Sequence, residues 1–447
     1  MKIIVFVLLL FTQLAASAAG LCINGLNPNA TQKFDPVEQW GIWERQYNIT
    51  KFRQSDQTLA IPYVLLPAER FEIIFLPGST PALISFIKQG SDIRWFKHPD
   101  HENLRWPKAP TPLPYLKSAP NGSVAGFAHT ASRSLFMPPQ ELANQYCTLK
   151  LATDHPHGPK GVIEPDKATM KEDINDSIAR MKLIASIEAV IGEDPSFIIA
   201  KDVALVRDKI TGEGYSVRDL SFLKSGHYYL PAFSLPYAGR EIAQLHGADP
   251  DSFWGKHYAE AVGRLKAKLL LRYGIQMESP NAQNFLIELD SNMMPTGRLV
   301  VRDLGDSNLV RSMLAGIGGE DLWEAERKLG IENAEDFKTE GLDSVWHLNE
   351  AGDKSFNNTI RNIWIAAHDG AYLSEIGQLL GFDLRALVQS NGRKGWVDET
   401  TGNFHMDSYK LEELKKIMLS EAVQQKILEY RQRLQQEHQQ QGALHVP

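Results

Sequence analysis

One stretch decides how this chain is organised: residues 274–306, with the sequence GIQMESPNAQNFLIELDSNMMPTGRLVVRDLGD. Two apolar runs, 285–290 and 298–304, flank a Ser-Asn-Met-Met-Pro-Thr-Gly segment that is rich in turn-forming residues. Such a pattern predicts a β-hairpin. Because residues at the ends of paired strands converge, the hairpin should bring Asn284 and Asp303 to one end.

The polar residues around the mouth of this hairpin form an all-oxygen set. Glu278, Asn284 and Asp303 carry carboxylate or amide oxygens, which suit magnesium. Hydroxyl and guanidinium donors that clamp phosphate occur upstream, at Ser177, Arg180 and Arg218. The same residue types are also typical of strand-end caps and surface charges, so the residues alone leave a metal–nucleotide site and a purely structural role both open.

The elements around the hairpin predict an α+β, multi-domain chain with a largely helical C-terminal part. A strand begins at Thr148, and beyond Leu309 the chain reads as helical almost to its end, closing on one long helix. The other predicted elements are strands at 196–201 and 215–220 separated by a turn at 211–214, a helix from a capping box at 169–172 to Gly192, and a helix at 252–273 ended by Gly274.

The N-terminus has the three parts of a secretory signal peptide. Lys2 supplies the positive charge, residues 3–14 are mostly apolar, and Ala16-Ser17-Ala18 offers a cleavage site. We therefore expect residues 1–18 to be removed and the protein to be exported, either to a periplasm or to the medium. A lipid anchor on Cys22 is disfavoured because Leu21 stands where a small residue is needed.

Export bears on the cysteines, of which the chain has 2, Cys22 and Cys147. In an oxidising compartment two cysteines most often form one disulfide, and we predict that bridge here. Two buried, separate thiols are the alternative. Without a CxxC motif the pair makes no zinc site.

Composition narrows the classes of partner. A hydrophobic content of 43% and a charged content of 23% are those of a globular protein. The net charge of −7 gives no electrostatic reason to bind nucleic acid. No apolar run after the signal approaches the roughly 20 residues that span a membrane.

From about Cys147 to Asp306, the order and spacing of short motifs resemble the siderophore synthetases of the aerobactin-synthetase type (IucA/IucC-like), nucleotide-dependent enzymes that work without peptide-synthetase modules. The matching motifs, in chain order, are Lys150-Leu151, Ser177 to Arg180, Arg218-Asp219, Gly274 to Glu278, Asn281-Ala-Gln-Asn284 and Arg302-Asp303. The resemblance covers roughly a third of the chain, and residues 307–447 match only in being helical. It implies a thumb-like N-terminal region at 19–145, a fingers-like nucleotide-binding region at 146–240, and a palm-like region at 241–447.

The resemblance also implies a reaction. ATP with Mg2+ would activate a small-molecule carboxylate as an acyl-adenylate, which an amine or hydroxylamine then captures. The triphosphate would be bound by Lys150, Ser177, Arg180, Arg218, Gln283 and Asn284, with Arg180 and Arg218 offsetting charge at the α-phosphorus. Glu278, Asn284 and Asp303 would hold the metal. The resemblance leaves a homodimer open.

Several departures from the family pattern leave the substrate open. Asn281 stands in place of the histidine of the family's H-x-Q-N motif, and one extra residue separates Glu278 from Gln283. Asp176 replaces a threonine. The family's citrate-contacting histidine motif is only echoed, by His129-Thr-Ala-Ser-Arg133, so His129 and Arg133 are weak substrate candidates.

Two other functions compete with this interpretation. The family works where ATP is present, and an exported chain meets little of it, so a non-catalytic binding protein for an iron chelator or polycarboxylate fits export best. Asn284 with Asp303-Leu-Gly also resembles the metal pair of kinases, which favours a secreted phosphotransferase. Against the kinase, the residues just before Asn284 include no aspartate, and no Gly-rich loop is apparent.

Overall fold

The computed structural model describes residues 36–47, 59–99, 120–128, 134–137, 142, 145–151, 171–210, 212, 214–277, 282–304, 307–314, 321, 323–324, 358–384, 395–397, 404–406 and 408–444. Strands and helices are numbered in chain order. The helices are α1 (Pro36–Tyr47), α2 (Pro81–Ile87), α3 (Lys171–Ile191), α4 (Arg240–Leu245), α5 (Pro250–Trp254), α6 (Glu260–Tyr273), α7 (Asn358–Leu380), α8 (Ser408–Met418) and α9 (Glu421–Leu444). The predicted α+β architecture with a largely helical C-terminal part is confirmed.

Within these ranges the larger sheet contains nine strands. They are β1 (Leu59–Pro67), β2 (Phe71–Phe75), β3 (Lys88–Gln89), β4 (Asp92–Phe96), β5 (Gly122–Ala128), β6 (Ser134–Met137), β7 (Cys147–Lys150), β9 (Asp202–Asp208) and β10 (Gly214–Asp219). Their order is β2-β9-β10-β7-β6-β5-β1-β4-β3, and all neighbours are antiparallel. One face packs on α2, where Phe96 meets the ring of Tyr215 edge-on at 5.5 Å. In β1 only Ile61 and Val64 are buried, so this strand is only partly covered.

The smaller sheet has four described strands, β8 (Phe197–Ile199), β11 (Tyr228–Pro231), β13 (Phe285–Leu289) and β14 (Pro295–Val301). Their order is β11-β13-β14-β8, with β8 parallel to β14. The predicted hairpin is confirmed, because β13 and β14 pair antiparallel with Phe285 opposite Val301. Two short strands, β12 (Ile275–Met277) and β15 (Ser307–Leu309), pair beside it.

Both faces of the smaller sheet are covered. Leu286 and Val300 pack with Trp40 of α1 on one face. Phe285 and Val301, which point to the other face, share a core with Leu265 of α6. Burial on both faces explains why consecutive residues are apolar at 285–287 and 299–301, where an alternating pattern would mark a sheet with one exposed face.

The observed helices agree with the predicted ones, apart from a π-helical turn inside one helix and a break in the last one. The predicted helix at 252–273 is present as α5 and α6, joined by a π-helical turn at Gly255–Ala259, and it ends at Gly274 with a left-handed φ of 64°. The single final helix predicted from the apolar spacing is wrong. It is two helices, α8 and α9, because the chain turns at Leu419-Ser420. A short hairpin of β16 (Gly395–Val397) and β17 (Phe404–Met406) also interrupts the helical region.

The sequence did not predict the strand that precedes the 211–214 turn and pairs with β10. The partner of β10 across that turn is β9, and the predicted strand at 196–201 corresponds to β8, which belongs to the other sheet. The larger sheet takes strands from both sides of the predicted boundary at 145/146, and the smaller sheet takes strands from both sides of the predicted boundary at 240/241. No helix in the described part of the chain is long and apolar enough to cross a membrane.

Candidate functional site

The two sheets meet through an ion pair. Lys150 is the last residue of β7 in the larger sheet, and Asp303 follows the end of β14 in the smaller one. The Nζ of Lys150 lies 3.0 Å from Oδ2 of Asp303, and their side chains are 13% and 29% exposed. The pair is therefore open to solvent on one side, and a ligand can reach both charges.

A second basic side chain lies beside this pair. Lys150 is paired with Ser216 on β10, so Arg218, two residues along, faces the same side of the sheet. Arg218 makes a two-point contact with Asp202 of β9, with Nε to Oδ1 at 2.8 Å and Nη2 to Oδ2 at 3.2 Å. Asp202 thus holds the guanidinium in one orientation.

The acidic neighbours also keep Arg218 charged. Burial alone would lower the pKa of Arg218, but the charges of Asp202 and Asp303 outweigh it and raise that pKa above its ordinary value. Lys150, Arg218, Asp202 and Asp303 form an alternating set of two cations and two anions across the gap between the sheets. An anionic ligand that drew Lys150 away from Asp303 would find both cations in place.

Asn284 and Asp303 lie at the same end of the hairpin, as the sequence predicted. The backbone N–H of Arg302 donates to the carbonyl oxygen of Asn284 at 2.9 Å, one step beyond the Phe285–Val301 pair. Asp303 then takes a left-handed φ of 62°, a conformation that aspartate and asparagine tolerate better than most residues.

This end of the hairpin offers oxygen donors of the kind that magnesium takes, an amide from Asn284 and a carboxylate from Asp303. Glu278, the third predicted ligand, lies outside the described residues. Within the described ranges no group of three or more His, Cys, Asp and Glu side chains is arranged to hold a metal. The donor set that is described fits the predicted ion, and the ion itself stays a prediction.

Helix α3 places its two candidate residues differently. Ser177 is half-buried, and Arg180 follows one turn later on the same face. Arg180 is 1% exposed, and its Nη2 donates to the carbonyl oxygen of Ser307 at 2.9 Å. Arg180 therefore ties α3 to β15, and its predicted role in binding the triphosphate stays a prediction.

The sequence analysis missed two residues of this region. Asp202 was not predicted as a site residue. The predicted strand ended at residue 201, whereas in the structure Asp202 is the first residue of β9. Glu44 lies on α1, 258 residues before Arg302, and accepts a hydrogen bond from that arginine at 2.8 Å. Residue types alone carry no sign of a contact over such a separation.

The remaining predicted residues are outside the description or have no tested role. His129, Arg133, Glu278 and Cys22 lie outside the described residues, as does the predicted signal peptide, and nothing is described for the side chain of Gln283. Cys147 is fully buried on β7, and no disulfide is seen for it within the described part of the chain. Burial, with the nearby charge of Asp219, raises the pKa of the Cys147 thiol.

Comparison with known proteins gives a result for structure only. No family model and no curated protein sequence matches the chain. The aerobactin synthetase IucC from a hypervirulent pathotype of Klebsiella pneumoniae matches with a TM-score of 0.52 at 13% identity, covering 76% of this chain and 67% of that one. The ATP-bound aerobactin synthetase IucA from the same pathotype (TM-score 0.44, 12% identity, 73% and 62% covered) and the petrobactin biosynthesis protein AsbB from Bacillus anthracis str. Sterne (0.47, 12%, 79% and 64%) are also similar.

The match to IucC shows that the chain has the fold of the siderophore synthetases, as the sequence resemblance implied. At 13% identity the likeness extends to the fold and no further. The chain spans 67% of IucC and 62% and 64% of the other two proteins, so about a third of each has no counterpart here.

Proposed function

We propose that this protein is an ATP-dependent ligase that activates a small carboxylate as an acyl-adenylate and condenses it with an amine or hydroxylamine. The observation that carries the proposal is the Lys150–Asp303 ion pair, 3.0 Å long and partly exposed, at the meeting point of two sheets in a siderophore-synthetase fold. Arg218, kept charged beside it, adds a second cation for a phosphate chain.

In this proposal each described residue has a definite task. Lys150 releases Asp303 and binds a phosphate oxygen of the triphosphate. Arg218, held by Asp202, offsets charge that develops at the α-phosphorus when the carboxylate oxygen attacks and pyrophosphate leaves. Preorganised donors of this kind are usually the largest catalytic contribution. Magnesium held by Asn284 and Asp303, with Glu278 as a third ligand, would supply further positive charge to the phosphates.

The second half of the reaction needs a neutral nucleophile. The amine or hydroxylamine nitrogen attacks the acyl carbon, AMP leaves, and the nitrogen gives up a proton. His227 could act as a base by its residue type, but it lies away from this end of the hairpin. Its Nδ1 lies 3.3 Å from Glu288, which is four residues, or about 13 Å along β13, from Asn284.

The test is product analysis with the mature protein. Incubation with ATP, Mg2+, a panel of polycarboxylates and hydroxylamine should release AMP and pyrophosphate in equal amounts, and only when a carboxylate is present. Release of ADP instead would establish a phosphotransferase. Binding of a carboxylate or iron chelator without turnover, with every nucleotide tried, would establish the exported binding protein.

A pair of lysine variants tests whether the Lys150–Asp303 ion pair belongs to the nucleotide site. Lys150→Gln should slow pyrophosphate release by about 10²–10³-fold, because it removes a preorganised charge from the cleft. Lys209→Gln is the matched control, since Lys209 directly follows the far end of β9, where its Nζ donates to the carbonyl of Glu69 at 2.8 Å. Equal rates in both variants would remove Lys150 from the proposed site.

A further inference from the structure

Helix α1 carries one buried carboxylate, that of Glu44. Glu44 is 0% exposed, and its Oε1 accepts hydrogen bonds from Trp40 Nε1 at 2.7 Å and from Arg302 Nη2 at 2.8 Å. The guanidinium of Arg302 also lies over the ring of Trp40, 5.2 Å from its centre. Arg302 is thus held by a charge, a hydrogen bond and an aromatic face, all supplied by one helix.

Arg302 is the residue next to Asp303, and its backbone is held as firmly as its side chain. The N–H of Arg302 donates to the carbonyl of Asn284, which directly precedes the neighbouring strand β13. The φ of 62° at Asp303 follows at once, and this turn aims the carboxylate at Lys150. Any rotation of the Arg302 backbone would move Asp303 relative to both Asn284 and Lys150.

We propose that Glu44 is a positioning residue for the nucleotide site: through Arg302 it holds the turn that presents Asp303 to Lys150. The inference rests on the proposed function and adds to it a residue from a part of the chain that carries no motif. Glu44 touches neither nucleotide nor metal in this scheme. It acts by keeping one left-handed turn in one conformation, which is otherwise costly for a residue with a side chain.

A purely structural role predicts a different result. Buried carboxylate–guanidinium pairs elsewhere in the chain stabilise the fold without touching the cleft. One of these is Arg70 with Asp208, at the far end of β9, with Nε to Oδ2 at 3.0 Å and an Asp208 side chain that is 0% exposed. Asp208→Asn therefore serves as the matched control for loss of a buried ion pair.

The experiment compares Mg·ATP affinity, by calorimetry, in four purified proteins: the parent, Glu44→Ala, Glu44→Gln and Asp208→Asn. Glu44→Ala should weaken affinity about tenfold, which is the usual size of coupling between groups in contact. Glu44→Gln should lose less, about threefold, because its amide oxygen can still accept from Trp40 and Arg302. Among the described residues Oε2 of Glu44 has no hydrogen-bond partner, so the amide nitrogen can take its place. Asp208→Asn should lose stability and keep parental affinity.

A double variant and an exchange measurement complete the test. Arg302→Ala should weaken affinity as Glu44→Ala does, and adding Glu44→Ala to it should change nothing further, because the two act as one unit. Hydrogen exchange of the amides at 302–304, measured without nucleotide, should speed up in Glu44→Ala and not in Asp208→Asn.

The two measurements separate the inference from the function on which it rests. If the parent binds no nucleotide, the proposed function fails, and the exchange rates alone decide whether Glu44 holds the turn. Parental exchange rates in Glu44→Ala, or an affinity loss as large in Asp208→Asn, would overturn the positioning role.

Discussion

The larger and smaller sheets differ in both covering and charge. The larger sheet leaves much of β1 half exposed, and it carries the basic residues Lys150 and Arg218. The smaller sheet is buried on both faces, between α1 and α6, and carries Asn284 and Asp303 at one end of its hairpin. The candidate site lies where the end of the hairpin presents acid and amide groups to Lys150 and Arg218, which lie on the largely buried middle strands β7 and β10 of the larger sheet.

This difference assigns separate tasks to the two sheets. A strand pair enclosed on both sides has little freedom to move, so the turn at Asp303 keeps its geometry. The larger sheet can adjust its long lysine side chain to a ligand without loss of core packing. We therefore expect substitutions in the smaller sheet to have the larger effects.

The largest effect on Mg·ATP affinity should follow Asp303→Asn, which removes the carboxylate charge at the end of the hairpin and keeps the shape of the side chain. Mg·ATP affinity should fall by at least about a hundredfold, because Lys150 and the metal both lose their partner. Asparagine tolerates the left-handed turn, so circular dichroism and thermal unfolding should stay parental.

The control for this variant lies at the other end of the same hairpin. The Oδ1 of Asp290 accepts from the backbone N–H groups of Asn292 and Met294 at 2.8 and 2.9 Å, and Asp290→Asn keeps that acceptor. Affinity should not change in the control. If Asp303→Asn binds Mg·ATP as tightly as the parent, Asp303 has only a structural role at the end of the strand and the metal site is wrong.

The difference in covering is tested by two leucine truncations. Leu286→Ala, in the doubly covered sheet at 0% exposure, should cost about 2–5 kcal/mol of unfolding free energy. Leu65→Ala on β1, at 36% exposure, should cost less than about 1 kcal/mol. Denaturant titration with a constant m-value measures both. Losses of equal size would show that the two sheets are equally well packed.

The predicted disulfide would connect the two regions. It would tie Cys147 on β7 of the larger sheet to the segment that leads into α1, which covers the smaller sheet. Reduction should then cost about 2–4 kcal/mol, because the bridge closes a long loop in the unfolded chain.

The structure changes how that bridge must be assayed. Cys147 is fully buried, and its thiol pKa is raised first by burial, so a free thiol there would also resist alkylation in the native protein. Alkylation should be done in denaturant without reductant, on protein recovered from its natural compartment. Labelling of both cysteines under those conditions would rule the bridge out.

The smallest effect is expected from Asn281→His, which introduces the histidine of the H-x-Q-N motif that the siderophore synthetases have at the corresponding position. The chain keeps the other residues of these motifs, which are Glu278, Gln283, Asn284 and Asp303. This favours a functional site that has adapted to asparagine over a site that has lost its activity. Histidine should then leave the rate of pyrophosphate release unchanged or lower it slightly. A clear gain of AMP-forming activity, from a parent with none, would show decay instead.

The local sequence pattern was sufficient to predict those elements whose hydrogen bonds join residues that are close in the chain. The hairpin, the left-handed stop at Gly274 and the helix ending before Gly192 were all predicted, because apolar spacing and turn residues mark them directly. The break between α8 and α9 was missed, since apolar residues keep helical spacing across Leu419-Ser420 and no glycine or proline marks the turn.

The sequence determined by itself that Asn284 and Asp303 share one end of a hairpin, because the register of paired strands follows from a short turn. Only the tertiary structure decided which sheet each strand joins. Residues 200 and 201 alone separate β8 from β9, and the chain changes sheets there with no punctuation. The contacts of Lys150 with Asp303 and of Glu44 with Arg302 span 153 and 258 residues. Such contacts depend on how whole elements pack, and a linear pattern carries no information about packing over that separation.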